Sequence, residues 1–124
     1  MESTEQPTVL FVGNDLMFQS KIASACRSAG LALKVQRSPE SFNPENYQDN
    51  LPILVIVDLG LANLDLEALL AKIRPAMPQA KWLGYGAHVL ADRLEDANQL
   101  GLDAVLTRGQ FDRDMVRILQ SVTD

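Results

Sequence analysis

The feature that most constrains the fold is an alternation of short apolar runs with segments whose apolar residues recur at helical spacing. The run Ile53 to Val57 in "PILVIVD" contains no polar residue, which is typical of a strand covered on both faces. Further strands are predicted at 8–13, 31–36, 80–87 and 103–107. Strands that alternate with helices through short turns predict a parallel sheet with helices on both faces.

Three segments between these strands and one after the last strand place their apolar residues on one face of a helix. The four stripes are Phe18, Ile22, Ala25, Cys26 and Ala29; Leu66, Leu69, Leu70 and Ile73; Leu90, Leu94, Ala97 and Leu100; and Phe111, Met115, Ile118, Leu119 and Val122. Prolines at 39 and 44 make the segment after the second strand a loop with at most a short helix. The pattern predicts an α/β fold, a three-layer, doubly wound domain over residues 8–122, after a flexible head of residues 1–7.

Composition excludes several classes of protein. The chain has 124 residues, enough for one domain, and a net charge of −5 without a basic cluster, so neither nucleic acid nor an anionic membrane is expected as a partner. One cysteine cannot form an internal disulfide, and no Cys/His cluster indicates zinc. The polar, acidic start is not a targeting signal, and no run reaches the roughly 20 residues of a membrane span. We therefore expect a cytoplasmic protein.

Ligands in doubly wound folds bind beyond the carboxyl ends of the strands. Asp58 ends the predicted central strand, and Gly13, Asn14, Gly86 and Arg108 end others. An unpaired carboxylate buried beside an apolar run would cost several kcal/mol, so Asp58 requires either partners or a function.

Over residues 8–122 the chain resembles the receiver domain of bacterial two-component response regulators, of the chemotaxis-regulator type. Asp58 matches the family's phosphoacceptor, Asp65 and Leu66 stand where the following loop often has Asp-Gly, and Arg108 with Gly109 matches a Lys-Pro pair. The resemblance implies a flavodoxin-like sheet of strand order 2-1-3-4-5. It also implies phosphoryl transfer from a histidine kinase to Asp58 with Mg²⁺.

The chain departs from the family at the residues that carry this chemistry. Gly13 and Asn14 stand where receivers have two metal-holding acids, and Gly86 replaces the hydroxyl residue that binds the phosphoryl group. Asp15 follows one position later, where a helix N-cap is the more ordinary role. Asp58, Asn14, Asp15 and a loop carbonyl near Gly60 are weak Mg²⁺ candidates. We therefore expect no resident metal or other cofactor.

With the two acids absent, we expect Arg108 to form a metal-free ion pair with Asp58 and to lower its pKa, with Asn14 as an additional donor. The two alternatives are a structural Asp58 that caps a loop and a surface Arg108.

The favoured interpretation is a stand-alone pseudo-receiver that is not an enzyme. It acts by protein–protein contact, and phosphorylation of Asp58 is impaired or absent. No output domain is expected, because the chain ends after the last helix. The contact face would include residues 88–99 and 108–117, with Arg93 and Arg113 exposed. The partner would be a histidine kinase, another signalling protein or a second copy of the chain. A competent phosphoacceptor and a small-ligand or nucleotide binder are the alternatives.

Overall fold

A computed structural model describes residues 6–123. Five strands and four α-helices occur in this part of the chain: β1 (Thr8–Val12), α1 (Leu16–Ser28), β2 (Ala32–Gln36), β3 (Pro52–Asp58), α2 (Leu66–Ile73), β4 (Lys81–Gly86), α3 (Ala91–Gln99), β5 (Ala104–Thr107) and α4 (Arg108–Ser121). All strand pairs are parallel, and the sheet has the order β2-β1-β3-β4-β5. The predicted α/β architecture and strand order are confirmed.

The sheet separates two apolar clusters, one on each face. Helices α1 and α4 cover one face, where the cluster is Val9, Phe11, Phe18, Ile22, Ala25, Cys26, Leu31, Leu54, Ile56, Leu83, Tyr85, Phe111, Met115 and Leu119. The other face is covered by α2, α3 and the segment between β2 and β3, and its cluster includes Val55, Val57, Leu59, Leu69, Leu70, Ile73 and Trp82. Because successive residues of a strand point to opposite faces, Ile56 and Asp58 both point towards α1 and α4.

No α-helix connects β2 to β3. The crossover forms two 3₁₀ turns, Pro39–Ser41 and Pro44–Tyr47, as expected for a segment interrupted by prolines. Two buried aromatic rings from this segment, Phe42 and Tyr47, stack with centroids 5.4 Å apart and pack on the core. Apolar contacts of these two rings therefore attach the crossover to the sheet.

Short polar side chains cap the beginnings of three of the four α-helices, whereas α3 follows Leu90 without a side-chain cap. Asp15 caps α1, Asp65 caps α2, and Thr107 forms a capping box with Gln110 at α4. Most of the expected flexible head lies outside the described residues, since these begin at Gln6. Between Gln6 and Thr123, no helix has the length and apolar character needed to cross a membrane.

Candidate functional site

The carboxyl ends of the strands form the edge where the sequence predicts a site. Asp58 is the last residue of β3, and its side chain is 7% exposed. Its Oδ1 accepts a hydrogen bond from the Gly60 N–H at 2.8 Å. The carboxylate is therefore buried, and the loop that follows it satisfies one of its two oxygens.

Asp15 and Arg108 form an ion pair at the same edge. Asp15 Oδ1 accepts from the Phe18 N–H at 3.1 Å, which confirms its predicted N-cap role, and Oδ2 contacts Arg108 Nη2. The Arg108 guanidinium also lies 4.6 Å from the centroid of the Phe18 ring, close enough for a cation–π contact. Arg108 is the first residue of helix α4. From this position the long side chain of Arg108 extends over the first turn of α1.

The predicted Asp58–Arg108 ion pair is wrong, because Arg108 pairs with Asp15. The predicted fall in the pKa of Asp58 is wrong as well. Burial raises that pKa above its ordinary value, and the nearby negative charge of Asp15 raises it further, whereas the Gly60 N–H, Arg108 and Arg93 lower it. Burial prevails because no cation pairs directly with the carboxylate among the described residues.

We expect Asp58→Asn to stabilise the protein at pH 7 and to leave its stability unchanged near pH 3. Because the pKa is raised on folding, the folded state binds the proton more tightly, and the free energy of unfolding falls as pH rises from the unfolded pKa to the folded one. Asn cannot ionise, so it avoids this loss, and its side-chain oxygen can still accept from Gly60. Urea denaturation at pH 3, 5 and 7 measures the difference.

The control is Asp114→Asn, where hydrogen bonds from Arg117 and Arg113 lower the pKa of the carboxyl. Its effect should have the opposite sign, a loss of stability at neutral pH that disappears on acidification. If Asp58→Asn destabilises the protein at pH 7, the carboxylate is better solvated or paired than its burial indicates.

An aromatic cluster lies beneath Asp58 on the α1 and α4 side. Tyr85 pairs in register with Asp58 across β3 and β4, and its ring stacks on Phe18 with centroids 4.8 Å apart. The Tyr85 hydroxyl is buried and has no hydrogen-bond partner within residues 6–123. Burial and the charges of Asp58 and Asp15 raise the pKa of Tyr85, so its hydroxyl stays neutral.

Gly13 contacts Asp58 closely. A Cβ placed on Gly13 would lie 2.9 Å from Asp58 Cβ and 2.9 Å from Phe11 Cζ. Phe11 is fully buried and its ring fills the space beside the end of β1. No side chain fits at position 13 unless its neighbours move.

Gly86, at the end of β4, faces leucine side chains. A Cβ on Gly86 would meet Leu59 Cβ at 3.4 Å, Leu94 Cδ2 at 3.7 Å and Leu90 Cδ1 at 3.8 Å. Where the resemblance implies a hydroxyl, this chain has a backbone position surrounded by apolar groups.

The residues at this edge do not fit a Mg²⁺ site. Mg²⁺ prefers an octahedral set of oxygens that includes one or two carboxylates. Asp15 is engaged by the helix N-terminus and by Arg108, Asn14 is exposed, and Gly13 provides no ligand and leaves no room for one. Throughout the described chain, no three His, Cys, Asp or Glu side chains are grouped so that they could hold a metal ion.

Arg93, which the sequence interpretation placed on an exposed contact face, is exposed and also contacts the loop that follows Asp58. Its Nη1 donates to the carbonyl oxygen of Leu59 at 2.9 Å and to that of Leu61 at 3.5 Å. A signal for this was present, since Arg93 lies three residues after Leu90 and four before Ala97 on the inner stripe, and such residues share a helix face.

Comparison with solved structures identifies the architecture. A receiver domain protein from Methanospirillum hungatei JF-1 superposes with a TM-score of 0.74 at 15% identity, over 96% of this chain and 95% of that one. The fold is that of response regulator receiver domains. The receiver domain of NtrX from Brucella abortus gives 0.73 at 18% identity, over 92% of this chain and 96% of that one. An uncharacterized protein from Neptuniibacter caesariensis superposes with a TM-score of 0.77 at 18% identity, over 94% of this chain and 86% of that one. No protein-family model and no curated protein matches the sequence.

Proposed function

We propose that this chain is a receiver-like signalling module in which phosphorylation of Asp58 is impaired or absent. It acts by contact with other proteins, as a cytoplasmic module without enzymatic activity or a resident cofactor. The receiver fold and the position of Asp58 at the end of β3 support the signalling role. Its partner is a histidine kinase or another signalling protein.

The observation that carries this proposal is the Asp15–Arg108 ion pair. Phosphoryl transfer depends on positioning and on neutralising the charge of the group in transfer. Here Asp15, which directly follows the positions of the two missing acids, is bound to the Arg108 guanidinium. That guanidinium lies over the Phe18 ring and forms its ion pair with Asp15, not with Asp58. No cation therefore pairs directly with the Asp58 carboxylate among the described residues, and this edge of the sheet offers no set of Mg²⁺ ligands that would neutralise a phosphoryl group.

A second candidate is a slow but competent phosphoacceptor. One observation favours it: only Oδ1 of Asp58 accepts a hydrogen bond from the described residues, so Oδ2 can attack a phosphodonor. The engagement of Asp15 by the Phe18 N–H and by Arg108 counts against it, because it leaves no free second carboxylate among these residues to hold Mg²⁺ beside Asp58.

Incubation with acetyl phosphate and Mg²⁺ should leave the intact mass unchanged, because neither a set of Mg²⁺ ligands nor a directly paired cation is present among the described residues to neutralise the incoming group. Mass spectrometry of the intact protein at pH 7, quenched within minutes, measures this. Asp58→Asn provides the matched control. A gain of one phosphoryl group that is absent in Asp58→Asn would reject the proposal in favour of the second candidate.

A further inference from the structure

We infer that Arg93 is a positioning residue that couples the Asp58 carboxylate to helix α3 through the main chain of residues 59–61. The inference rests on the proposed signalling role of the site, but its test uses the protein without a phosphodonor, so that either can fail alone.

The hydrogen bonds join the two elements through a three-residue segment. On one side, the Gly60 N–H donates to Asp58 Oδ1 at 2.8 Å. On the other, the carbonyls of Leu59 and Leu61, which flank Gly60, accept from Arg93 Nη1 at 2.9 and 3.5 Å. Any change in what Asp58 accepts must rotate the peptide groups next to it, and these are the groups that Arg93 contacts.

An arginine suits this task because its planar guanidinium has five donors on a long side chain and stays charged. Arg93 starts from the third position of α3 and reaches across to the loop after β3. Its positive charge also acts on Asp58 directly, since it lowers the pKa of that carboxyl against the effect of burial. Arg93 therefore responds to the charge at position 58 as well as to the path of the loop.

A second route is available through apolar packing. Leu90 and Leu94 lie against the glycines of the site, with Leu90 Cδ1 3.5 Å from a Cβ placed on Gly60 and Leu94 Cδ2 3.7 Å from one on Gly86. Such contacts are non-directional and a leucine can take another rotamer, so they transmit a peptide rotation poorly. The experiment separates the two routes.

Asp58→Ala removes the acceptor of the Gly60 N–H, and its effect is followed by amide ¹H–¹⁵N shifts and hydrogen exchange. In the otherwise unchanged protein we expect shifts at Gly60 and Leu61 and also at the first turn of α3, residues 91–94. Hydrogen exchange of the Gly60 amide should become roughly fivefold faster, because a net contribution of about 1 kcal/mol from one hydrogen bond corresponds to that factor.

In an Arg93→Ala background, the same Asp58→Ala change should still alter the amide chemical shifts of Gly60 and Leu61. It should leave the amide chemical shifts of residues 91–94 unchanged. Arg113→Ala is the matched control, because the ion pair of Arg113 among the described residues is with its neighbour Asp114, so its loss should leave the response of α3 intact. Arg93→Lys, which retains a charged donor, should restore part of the response and serves if Arg93→Ala does not fold.

Persistence of the α3 shifts in the Arg93→Ala background would assign the coupling to Leu90 and Leu94 and overturn the inference. If Asp58→Ala changes no amide chemical shift of α3 in the protein that retains Arg93, the inference is overturned as well.

Discussion

Gly13→Ala should lower the free energy of unfolding by about 1–3 kcal/mol, the usual range for an overpacked core. The new methyl carbon would lie 2.9 Å from Asp58 Cβ and 2.9 Å from Phe11 Cζ. Neither neighbour can move away freely, because Phe11 is fully buried and Asp58 nearly so. Urea denaturation followed by circular dichroism measures the loss.

Gly109→Ala is the matched control for this substitution. Gly109 lies in the first turn of α4, and nothing is within 4 Å of a Cβ placed there, so alanine should be neutral or slightly stabilising. Phe11→Leu should make Gly13→Ala less costly, because it removes the ring atoms that the methyl group meets. Equal effects at Gly13 and Gly109 would contradict this account of the end of β1.

Asp15→Ala should destabilise the protein by about 1–2 kcal/mol, chiefly because α1 loses its N-cap. Asp15→Asn keeps an oxygen for the Phe18 N–H and loses only the pair with Arg108. That change should cost well under 1 kcal/mol, because the Arg108 side chain is 44% exposed and solvent screens the pair. The measurement is again denaturation in urea.

Asp65 offers a control, because it forms no ion pair with any other residue between Gln6 and Thr123. It caps α2 by accepting from the Ala68 N–H at 3.1 Å, so Asp65→Ala removes a cap alone. The Asp15→Ala loss should match or exceed it. If Asp15→Asn costs as much as Asp15→Ala, the ion pair and not the cap stabilises this end of α1.

The sequence predicted most of the fold, since the periodicity of its apolar residues is strong and local. The five apolar runs became the five strands within one or two residues, and the helical stripes became α1 to α4. The prolines correctly predicted that the segment between β2 and β3 would lack a regular helix. These features depend on near neighbours in sequence.

The site was predicted in position but not in its contacts. The rule on strand ends placed Asp58 and Arg108 at one edge of the sheet, and Asp15 was expected at the start of the helix beside it. The rule does not predict which of these charges form an ion pair. Arg108 pairs with Asp15 because α1 and α4 share one face of the sheet, and the Phe18 ring offers the guanidinium a second contact. The space available at Gly13 is also invisible in sequence, because it depends on the direction of the Phe11 ring.

The crossover between β2 and β3 has a consequence for how this chain can diverge. A helix there would fix the number of residues, since each added residue rotates its apolar face by about 100°. Here Phe42 and Tyr47 insert into the core, and the turns around them carry prolines and exposed polar residues. We expect insertions in the exposed turns on either side of this aromatic pair to leave its core contacts intact. In the course of evolution, this segment is therefore free to vary in length while the sheet around Asp58 stays unchanged.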